Sequence, residues 1–184
     1  LWFPIPLGLR LGMFGIEVAR RLMRAGFWLS FRLSRSLSRQ MEFDADKYEA
    51  RLAGSDTFER TCRRLRTLGL AWYGAQSDLG QYFSEGRLVD NLPRLVVSNV
   101  GQLPAAAHEF IDEQIAKTET SWFDSHPADK DRIAAARAEQ SAGVFFSDLP
   151  ATALFENFDA AAKNVTWDFY CAAFGRTIDP KTLH

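Results

Sequence analysis

Two carboxylates on one predicted helix have the spacing in this sequence that best suits metal chemistry. Glu42 and Asp46 are four residues apart, and residues at that spacing share a face of an α-helix. Such a glutamate can supply one oxygen ligand to Zn²⁺, while an aspartate one turn later can orient a histidine ligand through its second ring nitrogen. The spacing alone also fits two ordinary solvated carboxylates, because acidic side chains mostly lie on exposed helix faces.

The sequence around these carboxylates resembles a known zinc-ligand segment. Residues 38–55 read SRQMEFDADKYEARLAGS. They resemble the third-ligand region of the zinc metallopeptidase family that includes the CAAX prenyl endopeptidase and the HtpX membrane protease. The family pattern there is Ser-Arg-x-x-Glu-aromatic-x-Ala-Asp, and the residues that match it are Ser38, Arg39, Glu42, Phe43, Ala45 and Asp46.

A second element of the same family follows downstream. Residues 124–133 read DSHPADKDRI and are similar to the family's Thr-His-Pro…Arg-Ile element, with Ser125 in the place of threonine. The segments around Leu154-Phe155 and Thr166 to Tyr170 are similar to the tail of bacterial members. The resemblance therefore spans most of the chain.

The resemblance implies a membrane-associated zinc metalloendopeptidase that hydrolyses peptide bonds in a peptide or protein substrate. In such an enzyme Glu42 would be the third zinc ligand and Asp46 the residue that orients a histidine ligand. His126 would lie near the active centre, where it could donate to the oxyanion of a tetrahedral intermediate. Arg39 and Arg132 would support substrate or structure.

The family's His-Glu-x-x-His signature, which supplies two zinc ligands and the general base, does not occur in this sequence. The histidines are His108, His126 and His184. His108-Glu109-Phe110-Ile111-Asp112 has a similar spacing but follows Glu42, whereas the family signature precedes that helix. Because the chain begins with Leu1, we expect the signature upstream in a longer parent and expect this chain alone to be inactive.

Three of these residues have simpler interpretations as well. Pro127 suits the first position of a helix, which would make Ser125 or His126 its N-cap. Arg132 can be a surface residue or the partner of a carboxylate. Arg39, one turn before Glu42, can form an ion pair with it along the helix.

The charge of the chain is divided unevenly. Residues 1–40 carry seven arginines and one acid, Glu17, whereas the other 144 residues carry 15 bases and 22 acids. Apolar residues alternate with the arginines over 16–39, which favours a helix lying in a bilayer interface with the arginines at the headgroups. The alternative is a buried helix with a solvated arginine face. The acidic remainder argues against nucleic acid as a partner.

The periodicity predicts a mainly α fold. The chain of 184 residues, 47% apolar and 24% charged, is long enough for one domain. We predict a basic apolar helical arm over 1–40 and a helical body over 41–184, the C-terminal portion of a zincin-like metallopeptidase. Gly54 should end one helix, with Ser55 or Asp56 capping the next. Further helices are expected at about 105–120, 128–139 and 151–174, and residues 143–147 could form one short strand.

Two periodic stripes predict the core. Phe58, Cys62, Leu65, Leu68 and Trp72 recur at helical spacing. In the later helix over 105–120, the apolar residues expected to face inward are Phe110, Ile111 and Ile115.

A second hypothesis places the chain in another functional class, that of non-catalytic binding modules. A family-like chain with a basic apolar arm can bind a membrane or a partner helix without doing chemistry. The metallopeptidase hypothesis expects zinc, membrane lipid at residues 1–40, the upstream signature-bearing segment as partner, and a site on the cytoplasmic face of a bacterial inner membrane. The rival expects none of the catalytic parts.

Overall fold

The computed structural model describes residues 7–175 and residue 183, and in that part of the chain the fold is mainly α, as predicted. The α-helices are α1 (Leu7–Ala53), α2 (Ser55–Ser84), α3 (Leu92–Val100), α4 (Ala105–Lys117), α5 (Asp129–Ala138) and α6 (Phe158–Phe174). A 3₁₀ turn covers Ala151–Leu154. One isolated parallel bridge pairs Leu88 with Leu183.

A glycine separates α1 from α2, as predicted. Gly54 has a φ of 99° and its N–H donates to the carbonyl of Ala50 at 2.9 Å. The expectation that Ser55 or Asp56 caps α2 is wrong: Gly54 holds the N-cap position. The hydroxyl of Ser55 instead donates to the carbonyl of Ala136 at 2.7 Å and accepts the N–H of Ser141 at 3.1 Å. A buried hydroxyl thereby ties the start of α2 to the end of α5.

The core forms where α1, α2, α4 and α5 meet. Its buried members are Ala50, Phe58, Cys62, Ile111, Ile115, Ile133 and Ala136. Four predicted core residues lie outside it: Leu68 and Trp72 are half-buried, whereas Leu65 is 62% exposed and Phe110 is 50% exposed. The small residues Ala71 and Ala75 are fully buried on α2 instead, because close helix packing favours small side chains where two helices approach.

A second contact joins α3 to α2 and α6. Thr166 of α6 is fully buried, and its hydroxyl accepts the N–H of Leu92 at 2.8 Å and donates to the carbonyl of Ala162 at 2.7 Å. The hydroxyl of Tyr170 donates to the carbonyl of Val89 at 3.1 Å. These bonds satisfy the main chain at the start of α3, where an unpaired buried N–H would be costly.

The predicted strand over 143–147 is absent from the described structure. The N–H groups of Val144 and Phe145 both donate to the carbonyl of Leu52, at 2.8 and 2.9 Å. That carbonyl lies in the last turn of α1, where no intrahelical donor remains. The segment therefore satisfies the last turn of α1, and no strand lies beside it among residues 7–175.

The N-terminal part of α1 is exposed along most of its length. Leu9, Phe14, Met23 and Leu29 are each more than half exposed, and α1 continues without interruption past residue 40, the predicted boundary between arm and body. In the part of the chain that the structure describes, no helix has both the length and the apolar character needed to cross a membrane.

Candidate functional site

Residues from two distant segments meet on the C-terminal half of α1. Glu42 lies on α1, and Nδ1 of His126, 84 residues later, is in contact with its Oε1 atom. The side chain of Glu42 is 26% exposed and that of His126 is 76% exposed. The two motifs that were recognised separately in the sequence thus place one carboxylate and one imidazole side by side at a surface open to solvent.

One turn along α1, Asp46 forms a buried ion pair. The Nε and Nη2 atoms of Arg132 on α5 donate to its two carboxylate oxygens at 2.8 and 2.7 Å. Asp46 is only 4% exposed. The guanidinium also lies over the ring of Phe58, 5.7 Å from its centroid. Hydrogen bonding to Asp46 raises the pKa of Arg132 above its ordinary value, so the guanidinium stays charged at all physiological pH values.

This pair decides between the two interpretations of Arg132. It is the partner of a carboxylate and not a free surface residue. A bidentate arginine–carboxylate pair fixes both distance and orientation. It therefore contributes to fixing the rotation of α1 against α5, and with it the position of Glu42 relative to the loop that bears His126.

The loop between α4 and α5 presents His126. The predicted helix start at Pro127 is wrong: α5 begins at Asp129, with Ala128 in the N-cap position. The N–H of Ala128 donates to the hydroxyl of Thr120 at 2.8 Å, and that hydroxyl donates to Asp131 at 2.5 Å. No side chain caps the first turn of α5, so His126 is not used as a cap, and its ring contacts Glu42.

Arg39 holds the other end of this loop. Its Nη1 atom donates to the main-chain carbonyl of Asp124 at 2.8 Å, so its hydrogen bond crosses to the loop and does not run along α1 to Glu42. Asp44 lies on another face of the helix, where it accepts hydrogen bonds from Gln40 and Lys47 at 3.1 and 3.2 Å. Of the three carboxylates between residues 42 and 46, only Glu42 and Asp46 contact the α4–α5 loop or α5.

A buried thiol lies beneath the ion pair. Cys62 is 7% exposed, and burial raises its pKa to about 11; Asp129 and Asp46 act in the same direction, whereas Arg132 opposes them. A neutral thiol is a poor nucleophile and metal ligand. Cys62 therefore packs in the core and takes no part in the candidate site.

The donors that lie together here are too few for a catalytic zinc site. Glu42 and His126 offer one carboxylate oxygen and one imidazole nitrogen, whereas catalytic zinc sites use three protein ligands. Over residues 7–175 and 183, no group of three or more histidine, cysteine, aspartate or glutamate residues is arranged to hold a metal ion. His108, the residue with the signature-like spacing, is exposed on α4 and belongs to no such group.

Two contributions to the site were not predicted from sequence. Phe58 was identified as a core residue, but its ring also supports the guanidinium of Arg132. Trp122 and Phe123, which precede His126 on the same loop, were not singled out. They are 74% and 61% exposed, and two adjacent aromatic residues among polar neighbours were the available signal.

The geometry defines a helical scaffold whose first long helix carries an acidic residue beside an imidazole and a buried carboxylate–arginine pair. A family model described as peptidase family M48 matches residues 10–140, more than two thirds of the chain. The chain belongs to this metallopeptidase family, whose members are in general zinc-dependent. No curated protein and no solved structure matches it significantly.

Proposed function

We propose that this chain is the C-terminal, largely helical portion of a membrane-associated zinc metalloendopeptidase of the CAAX prenyl endopeptidase or HtpX type. The observation that carries the proposal is the convergence of two motifs more than 80 residues apart, which brings His126 to Glu42 and Arg132 to Asp46. Membership of peptidase family M48 supports metallopeptidase chemistry in general.

Glu42 is the proposed third protein ligand. It lies on a regular helix, and its side chain is 26% exposed to solvent. His126 neighbours it on a loop, where an imidazole N–H can donate to an oxyanion that develops on the substrate. The two remaining ligands and the general base are assigned to a His-Glu-x-x-His segment upstream in the same protein. Bound zinc would polarise the scissile carbonyl and activate a water molecule.

Asp46 is proposed to position the site. A carboxylate has about four lone-pair positions, of which Arg132 uses two. The remaining ones can accept the N–H of a ligand histidine from the upstream segment. Asp46 would then join the metal ligands to α5, with the two hydrogen bonds from Arg132 holding the carboxylate in one orientation.

The test uses the parent protein that carries the signature segment, with three single substitutions. Glu42→Ala should abolish zinc content and peptidase activity together, because it removes a ligand. Asp46→Asn keeps the shape but weakens the bonds to Arg132 and to a ligand imidazole, for which losses of about 10–100-fold are typical. Asp44→Asn is the matched control and should be near neutral, since that carboxylate lies on another face. Equal tolerance of all three would contradict the proposal.

The chain by itself gives a second readout. With two donors where three are needed, it should bind zinc no better than an ordinary acidic surface does. A one-to-one zinc affinity tighter than about micromolar, lost on Glu42→Ala, would show that His126 or His108 completes a site within this chain.

The arm over residues 1–40 is proposed to lie on the cytoplasmic face of a bacterial inner membrane. Its described part, from residue 7, presents exposed apolar side chains and an excess of arginine. The same exposed surface favours the rival function, a non-catalytic module that binds a membrane or a partner helix. A parent without a His-Glu-x-x-His segment, or one whose zinc content is unaffected by Glu42→Ala, would favour the module.

A further inference from the structure

The α4–α5 loop and α1 form one continuous exposed aromatic surface. Trp28 contacts Phe123 edge-on, with ring centroids 6.2 Å apart, and the centroid of Phe31 lies 6.5 Å from that of Phe123. The guanidinium of Arg32 lies 5.7 Å from the centroid of the Trp122 ring. We call this surface the aromatic–arginine face; it consists of Phe27, Trp28, Phe31, Arg32 and Arg35 of α1 with Trp122 and Phe123 of the loop.

The face remains largely exposed despite these contacts. Trp122 is 74% exposed and Phe123 61%, while Phe27 and Trp28 on the helix are 67% and 50% exposed. Exposed clusters of large aromatic residues are uncommon on soluble surfaces and mark interaction sites. The rings contact one another without being covered, so the surface is already formed before any partner binds.

Charge indicates which partner fits. The described part of the arm carries seven arginines and one acid, Glu17, which is paired with Arg20 and Arg21. The rest of the chain is acidic overall. Arginine next to tryptophan and phenylalanine suits the headgroup region of a bilayer, where amphipathic rings and cationic side chains both have favourable positions. Anionic headgroups complement this charge.

We propose that the aromatic–arginine face seats on an anionic lipid bilayer, with Trp122 and Phe123 inserting among the headgroups as a second contact beside the arm. The inference rests on the membrane association in the proposed function and adds the loop to it.

Contact of the aromatic–arginine face with lipid would fix the distance between the candidate site and the bilayer surface. Eleven residues separate Phe31 from Glu42, which is roughly 16 Å along a helix. His126 follows Phe123 by three residues, and Arg39 holds the intervening carbonyl of Asp124. A bilayer that fixes the loop would therefore also restrict the imidazole that contacts Glu42.

The first experiment measures flotation of the 184-residue chain with phosphatidylcholine vesicles that contain or lack phosphatidylglycerol. The double substitution Trp122→Ala/Phe123→Ala should weaken binding by about tenfold, because two partly inserted rings are lost. The matched control is Phe145→Ala/Phe146→Ala, which removes two adjacent aromatic residues of similar exposure, 61% and 74%, and should bind as the unaltered chain does. Circular dichroism checks that both variants remain folded.

The second experiment locates the inserted ring. Brominated lipids quench tryptophan fluorescence by contact, so Trp122→Phe should reduce the quenched fraction while Trp167→Phe on α6 should not. In a third arm, Arg32→Gln/Arg35→Gln should weaken binding and flatten its dependence on salt, since each arginine near an anionic surface contributes to the attraction.

Several outcomes would overturn the inference. They are an unaltered chain that does not float with anionic vesicles, equal loss in both double-alanine variants, and unchanged binding after Trp122→Ala/Phe123→Ala. Quenching that is unaffected by Trp122→Phe would do the same. None of these results bears on zinc content or peptidase activity in the parent, so failure of the lipid surface and failure of the metallopeptidase proposal can be told apart.

Discussion

The two halves of α1 belong to one uninterrupted helix and yet differ in almost every tertiary property. In the N-terminal half, Met23 is 77% exposed and the ion pairs are local, between Glu17 and the arginines that follow it. In the C-terminal half, Asp46 is 4% exposed and binds an arginine 86 residues away. The same backbone hydrogen bonding supports both halves, so the difference lies in the side chains that find partners.

The contrast assigns stability to the C-terminal half of α1 and binding to the N-terminal half. Long-range contacts from α2, α5 and the α4–α5 loop hold the C-terminal half, where a lost partner leaves a buried group unsatisfied. The exposed half has few such contacts, so its side chains are available to an external surface. The predictions below test this division, beginning with the largest expected effect.

Removing the arginine of the buried pair should destabilise the protein most. Arg132→Met leaves the Asp46 carboxylate buried without its partner, and breaking such a pair typically costs about 3 kcal/mol or more. Urea unfolding measures the change. The matched control is Lys47→Met, whose exposed pair with Asp44 should contribute less than about 0.5 kcal/mol. The double variant Asp46→Leu/Arg132→Met should recover most of the loss; a small effect of Arg132→Met alone would show that the two halves of α1 do not differ in this way.

Replacing Gly143, which packs against the main chain between α1 and α2, should have the next largest effect on stability. Gly143 has a φ of 87°, and a Cβ there would lie 2.7 Å from the main-chain carbon of Ala53. Gly143→Ala should therefore lower the free energy of unfolding by about 2–3 kcal/mol, through both strain and overlap. Gly86 also has a positive φ, 74°, but there is open space around it. Gly86→Ala therefore measures the cost of placing alanine at a positive φ alone, about 1 kcal/mol. If the two variants lost equal free energy of unfolding, steric overlap at residue 143 would be excluded as a contribution.

Alkaline pH should lower the free energy of unfolding, because the folded protein keeps the Cys62 thiol protonated. The pKa of Cys62 is raised from 9.0 to about 11 in the folded protein, so the unfolded chain loses this proton first as pH rises. The stability is fully present below pH 9.0 and falls between pH 9.0 and about 11, by on the order of 1–2 kcal/mol. Cys62→Ala should remove that slope in denaturant unfolding curves measured at stepped pH. Tyr170, whose pKa burial raises to about 12, should leave a further decline above pH 10 in both proteins.

A substitution on the exposed half of α1 should change stability least. Leu29 is 62% exposed, and Leu29→Gln should alter the free energy of unfolding by less than about 0.5 kcal/mol. Ile133→Ala, in the buried core, should cost about 2–4 kcal/mol in the same urea measurement. A loss above about 1 kcal/mol for Leu29→Gln would mean that the Leu29 side chain is covered in solution.

Local patterns were sufficient to predict much of the fold. The hydrophobic periodicity predicted helices close to α4 and α5, because a 3.6-residue repeat of apolar residues needs no knowledge of the partner surface. The helix predicted over 151–174 is shorter in the structure, where α6 begins at Phe158 after a separate 3₁₀ turn. Gly54 marked the end of α1 for a similarly local reason, since glycine accepts a positive φ that other residues resist. The motif around Glu42 was visible because its residues are adjacent along the chain.

The errors fall where a partner element decides. Leu65 and Phe110 have the right spacing for burial, but no helix covers them fully. Residues 143–147 have strand-like composition, yet the N–H groups of Val144 and Phe145 both donate to the carbonyl of Leu52 at the end of α1. Pro127 suits a helix start, but α5 begins at Asp129, and the N–H of Ala128 just before it donates to the distant hydroxyl of Thr120.

The sequence by itself determined that the chain is helical and where α1 ends, and it showed that Glu42 and Asp46 share one face of that helix. Only the tertiary structure decided that Glu42 contacts His126 and that Asp46 is held by Arg132, since these partners lie 84 and 86 residues apart. The physical reason is that backbone geometry is set by neighbours along the chain, whereas the pairing of side chains depends on how helices are turned against one another, and that turning is fixed jointly by all the contacts of the core.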